Sequence, residues 1–209
     1  SAPGLDQHYG MIGDFKQFSH VDGTQRLIMS SAAHPLLYDH DTGKRDLNKN
    51  ESVMLLSEPI PTGGWTREDR MDFKVVFGMD RYDPDVKGRW GAKWGTANFH
   101  DGYIYFGTYH QGTNAGFTHL KEADEDLYDE LTNTDAKYDE FLINQWRASS
   151  VFRMKLENIE AITAGRKNPE LLYGYDDFKV ADSSGQWQTK KNLLGVKPRF
   201  GRAGMGNPG

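Results

Sequence analysis

Histidines and clustered carboxylates are the side chains of this chain whose types and spacing could do chemistry. The stretch from 98 to 112, NFHDGYIYFGTYHQG, holds His100 and His110, and His119 follows nine residues later. Imidazole is a general acid or base near neutral pH and the commonest metal ligand. A hairpin that carries His100 and His110 to one rim would make them a catalytic or metal-binding pair. No recognised helical or short-loop ligand spacing joins them. The competing expectation leaves them at opposite ends of one strand, hydrogen-bonded locally.

Two acidic turns are candidate cation loops. DHDTGKRD offers Asp39, Asp41 and Asp46, and MDRYDPDVKG offers Asp80, Asp83 and Asp85. Carboxylates set closely around a Gly or Pro turn can wrap Ca²⁺, which takes about six to eight oxygens. Neither loop has the EF-hand pattern, and Asp also stabilises turns by bonding its own backbone. A third acidic run, Glu122 to Glu130, packs six acids into nine residues; it reads as the solvated face of a helix or a dock for a basic partner. Aromatic side chains supply another kind of site. Trp65, Trp90, Trp94, Tyr103, Tyr105 and Tyr109 fall within 45 residues, and such rings clamp partner side chains, stack on sugars or fill a core. Trp90, Trp94, Tyr103, Tyr105 and Tyr109 are the expected binding residues. Asn50-Glu51-Ser52 has the glycosylation pattern. No nucleophile elbow, P-loop, zincin helix or dinucleotide fingerprint is present, so the best-marked enzyme classes find no support.

Bulk properties narrow the field further. The 209 residues suffice for one large domain. The chain is 37% hydrophobic, 26% charged and 12% aromatic, and its 23 glycines and 8 prolines point to many turns of a mainly β domain. A net charge of −5 speaks against a nucleic-acid partner, and no apolar run is long enough for a transmembrane helix. Without cysteine, disulfides, thiolate metal sites and cysteine nucleophiles are excluded. Ser1-Ala2-Pro3-Gly4 looks like a mature chain freed of a signal peptide, which leads us to expect a secreted or periplasmic protein.

These residues need strands to position them. Asp101-Gly102 is a hairpin dipeptide between Thr96–His100 and Tyr103–Tyr109. On the return arm Ile104, Phe106 and Thr108 face one way and Tyr103, Tyr105 and Tyr109 the other, so burial is expected on both sides. Met71, Phe73, Val75, Phe77 and Met79 alternate over nine residues, the period of a half-buried strand. Phe152, Met154 and Leu156 alternate with Val151, Arg153 and Lys155. Asp22-Gly23 leads into a strand from Gln25 to Ser30, and Leu36–Tyr38 is expected as another. Between about 119 and 147 the period becomes helical: Tyr138, Phe141, Leu142 and Trp146 share one face, with Asn133 or Thr134 as cap. From Lys197 to Gly209 the chain is rich in Gly and Pro and reads as an arm, set off from a single domain over 1–196.

Thr42-Gly43-Lys44 after a strand, and Asp101-Gly102-Tyr103-Ile104-Tyr105-Phe106-Gly107, resemble blade elements of β-propellers of the kelch and quinoprotein-like kind. The double glycine of kelch blades and the tryptophan docking motif of quinoproteins are missing. That resemblance implies propeller-like antiparallel sheets. Blades take roughly 40 to 50 residues and a ring at least four of them, so a small ring, a ring completed by another chain and a β-sandwich all stay open. The expected function is an exported, non-catalytic binding or assembly module with a protein partner or a second copy, or a glycan. The alternative is a secreted propeller-like hydrolase or lyase acting on a glycan or ester, with His100 or His110 at the rim and calcium in support.

Overall fold

The computed structural model describes residues 11–32, 53–84, 92–110, 121, 125–134, 148–181 and 186–202. Chain order gives strands β1 (Met11–Ser19), β2 (Gln25–Ala32), β3 (Val53–Ser57), β4 (Phe73–Gly78), β5 (Ala92–His100) and β6 (Tyr103–His110). Helix α1 (Glu125–Thr132), β7 (Val151–Lys155), helix α2 (Ile159–Thr163), β8 (Glu170–Gly174), β9 (Asp177–Ala181), β10 (Trp187–Lys191) and β11 (Gly201–Arg202) follow. The fold is mainly β and antiparallel, and the described strands do not close into a barrel.

Two four-stranded meanders make up most of it. β1 to β4 pair in succession, and so do β5 to β8. Among the described residues a single bridge, Ala32 opposite Lys93, joins them into one nine-stranded sheet with β11 at its edge, and β9 and β10 form a separate hairpin. Turn chemistry explains the tight connections. Asp101 (φ 47°) and Gly102 (φ 73°) both adopt the left-handed conformation that a primed hairpin turn requires. The β1–β2 turn closes on itself, with the Gly23 amide donating to the His20 carbonyl at 2.9 Å.

Although β3 is buried on both faces, with Val53 and Leu55 also enclosed, the main core cluster lies on one face of this sheet. Ile28, Met54, Leu56, Phe77, Ile104, Phe106, Phe152 and Met154 are buried there, and Ile159 and Ile162 of α2 pack on it together with Phe178 and Val180 of β9. Phe106 stacks on Phe152 at 5.5 Å, and Tyr82 meets Phe152 and Phe178 edge-on at 5.0 and 5.2 Å. Such ring pairs add stabilisation beyond the area they bury. The Tyr82 hydroxyl is itself satisfied, accepting from the Tyr175 amide at 2.6 Å and sharing a hydrogen bond with Ser150 Oγ at 3.1 Å.

Several expectations need adjustment. The alternation over 71–79 does not run through one strand face. Leu55 pairs with Val75 but Met54 with Phe77, so Val76 is an extra residue, a β-bulge. It turns Val76 and Phe77 inward and leaves Val75 41% exposed. Burial of β6 is one-sided: Ile104, Phe106 and Thr108 are inside, whereas Tyr103 and Tyr105 are half-buried. The stretch from Lys197 does not begin as a separate arm. Arg199 and Phe200 amides donate to Leu171 and Leu172 carbonyls at 3.0 and 2.8 Å, and β11 pairs in parallel with β8. Part of the expected helical insertion is present as α1. The stretch 135–147, the strand at Leu36–Tyr38 and the Thr42-Gly43-Lys44 turn lie outside the described residues, as does the Asn50 sequon.

Candidate binding face on strands β5 to β8

Strand alternation places a set of polar and aromatic side chains on the sheet face opposite the core. Across β6, Tyr103 stands opposite His100 of β5 and Lys155 of β7, and Tyr105 stands opposite Asn98 and Arg153. Glu170 of β8 lies opposite Arg153, and Val151 opposite Tyr173. Arg153 is the centre of the array. Its guanidinium lies 4.4 Å from the Tyr103 ring, and its Nε and Nη2 donate to Glu170 Oε2 at 3.1 and 2.9 Å. Arg199 Nη1 donates to the same oxygen at 3.1 Å and lies over the Phe200 ring. Hydrogen bonds to Tyr105 first and Glu170 second raise the guanidinium further above its ordinary value, so its charge is fixed. Lys155 reaches both the Tyr103 ring, at 5.8 Å, and Glu157, at 3.5 Å.

Because these groups sit on paired strands, their spacing is set by the sheet and not by side-chain search. The face is open and bears both donors and acceptors. Val151 (36% exposed) and Tyr173 (39%) add apolar area beside them. Tyr and Arg are the residue types that dominate partner recognition, and an ordered array loses little entropy when it is covered.

Of the expected binding residues, Tyr103 and Tyr105 belong to this face. Trp94 stands opposite Thr108 and Tyr109 opposite Lys93 in the same hairpin, while Trp90 lies outside the described residues. His100 is exposed beside Tyr105, ring centres 6.5 Å apart. His110, opposite Ala92, ends β6 at its other extremity. Seven residues of strand separate the two ends, roughly 23 Å. The pairing therefore does not bring His100 and His110 to one rim, which is a correction to the paired-histidine expectation. Asp80 is exposed in the 3-10 turn after β4 and Asp83 is buried three residues on. Asp39, Asp41, Asp46 and Asp85 lie outside the described residues. Among the described residues no three His, Asp or Glu side chains are grouped to hold a metal.

One polar cluster has no counterpart in the sequence reading. His20, only 5% exposed, has Nδ1 3.1 Å from Asp22 Oδ1 and its Nε2 4.0 Å from Glu160 of α2. Asp22 accepts from the Thr24 hydroxyl at 2.6 Å and amide at 2.9 Å, and from Arg26 at 2.8 Å. These bonds, Thr24 first, hold its carboxyl far below the usual range. His20 is too enclosed to meet a substrate; the cluster ties the β1–β2 turn to α2. Arg153 and Lys155 were visible as the polar half of an alternating strand, but Glu170 joins them only through strand pairing.

No protein-family model, no curated protein and no solved structure matches this chain.

Proposed function

We propose that the chain is an exported, non-catalytic binding or assembly module that docks a protein partner on the outer face of β5 to β8. The observation that carries the reading is the Tyr103–Arg153–Glu170 array, with Tyr105, Lys155 and Tyr173 around it on rigid strands. Because the face bears charges of both signs, it suits a surface of mixed charge, and a second copy of this chain is the simplest such surface. Two blade-like meanders in one chain fit the same picture, a propeller-like ring to which each chain contributes part.

Native mass spectrometry and sedimentation test it. The expected result is an assembly of 23.7 kDa units that reverts to monomer in a Tyr105→Ala, Arg153→Ala double variant whose far-UV spectrum is unchanged. A wild-type chain that stays monomeric at all concentrations, or an assembly indifferent to both substitutions, overturns the assignment of this face.

A further inference from the structure

The C-terminal part of the described chain, which meets the outer face of β5 to β8 at Arg199 and Phe200, carries a different kind of chemistry. Charge is divided unevenly along the chain. Residues 179–209 hold six of the 25 lysines and arginines and one of the 30 acids, which leaves 19 cations against 29 acids before them. The structure gathers this basic end on the β9–β10 hairpin and the segment that follows it. Three of the six are fixed in ion pairs: Lys191 and Arg202 on Asp177, at 2.7 and 3.0 Å, and Arg199 on Glu170. Lys190 and Lys197 are exposed, and among the described residues neither has an anionic partner. The same segment exposes large apolar side chains, Leu193 at 56%, Val196 at 44% and Phe200 at 72%. A hollow of about 260 Å³ opens between Lys191 and Lys197, with Asp176, Asn192, Gly195 and Val196 completing its wall.

We infer that residues 190–202 dock the protein peripherally on an anionic lipid surface. Flexible ammonium groups attract a negatively charged headgroup layer without needing a defined partner geometry. The exposed side chains of Leu193, Val196 and Phe200 then enter the boundary between headgroups and acyl chains. An acidic polysaccharide would use the cations but leave the three apolar side chains in water. An acidic protein would need a matching concavity for each of them. The acidic remainder of the chain is repelled by the same surface and orients the basic end toward it.

Flotation of the full chain with vesicles tests this. The probes are phosphatidylcholine alone and phosphatidylcholine mixed two to one with phosphatidylglycerol, at low and high salt. Binding is expected only to the anionic vesicles and only at low salt. K190Q with K197Q should weaken partitioning about 30-fold, as two surface charges of this kind do, and L193S with F200S by about tenfold or more. All four side chains are exposed, so an unchanged thermal midpoint shows that the variants fold. Flotation that is absent, equal on neutral vesicles, or unmoved by either pair of substitutions overturns the proposal. Binding to polyglutamate that needs Lys190 and Lys197 but not Phe200, without flotation, overturns it in favour of an acidic polypeptide.

Discussion

Arg81 sits where acceptors from three segments converge. Its Nη1 donates to the carbonyls of Val76 and Ile162 at 3.2 and 2.7 Å, and Nη2 to the Lys167 carbonyl and Asn168 Oδ1, both at 2.9 Å. The forked guanidinium thus plugs the edge of β4 and the C-terminal end of α2 at once, and lies over the Phe77 ring. Arg81→Met leaves those carbonyls unpaired and should cost about 2–3 kcal/mol in urea unfolding at unchanged slope. Lysine at this position should recover only part of that, since one ammonium cannot span both elements. Asp22 gives a prediction in pH. Its carboxyl is depressed in the folded state by the Thr24, Arg26 and His20 contacts, so its contribution is present above the unfolded value, near 4, and is lost as pH falls through the folded one. The wild-type urea midpoint should fall more steeply below about pH 4 than that of Asp22→Asn; identical acid limbs would remove Asp22 from the account.

At the scale of elements, the Asp101-Gly102 turn located β6, and period-two alternation located β7, whose faces differ in polarity. The same rule put Met71, Phe73, Val75, Phe77 and Met79 on one strand face, but β4 holds only the middle three, and the bulge at Val76 turns Phe77 to the face opposite Val75. A bulge is set by what the partner strand needs opposite it, and the sequence of β4 carries no separate signal of it. β8 shows another such dependence. A Cβ on Gly174 would lie 2.6 Å from the Tyr82 hydroxyl and 2.9 Å from Ser150 Oγ. Gly174→Ala should therefore lower the thermal midpoint by an amount corresponding to about 1–3 kcal/mol, the range for overpacking a tight site. An unchanged midpoint would mean that Tyr82 and Ser150 give way freely.

Across the whole molecule, the nine-stranded sheet and the β9–β10 hairpin bury side chains in one cluster. Phe178 touches Tyr82 and Tyr175, ring centres 5.2 and 4.8 Å apart, and so links the hairpin to the turn after β4. Truncating it should destabilise the entire domain by about 3–5 kcal/mol. Far-UV circular dichroism and tryptophan fluorescence should still report a single coincident transition. Two separated transitions would show that the hairpin is a unit of its own.

Composition and turn dipeptides determined by themselves that this is a mainly β chain, because Asp-Gly turns and alternating apolar residues are local signals that neighbouring strands need not complete. They also put Ile104 and Phe106 on one side of β6 and Tyr103 and Tyr105 on the other, but with burial expected on both sides; the structure leaves the tyrosine side half-buried. Tertiary structure alone decided what those tyrosines meet. Glu170 lies 17 residues beyond Arg153, and only the pairing of β7 with β8 puts its carboxylate under the guanidinium. The same holds for His100 and His110: their spacing of ten left both a shared rim and opposite ends open, and the register of β5 on β6 chose opposite ends. Local chemistry fixes period and turn, whereas partnership across a sheet depends on register, which is a property of two strands together.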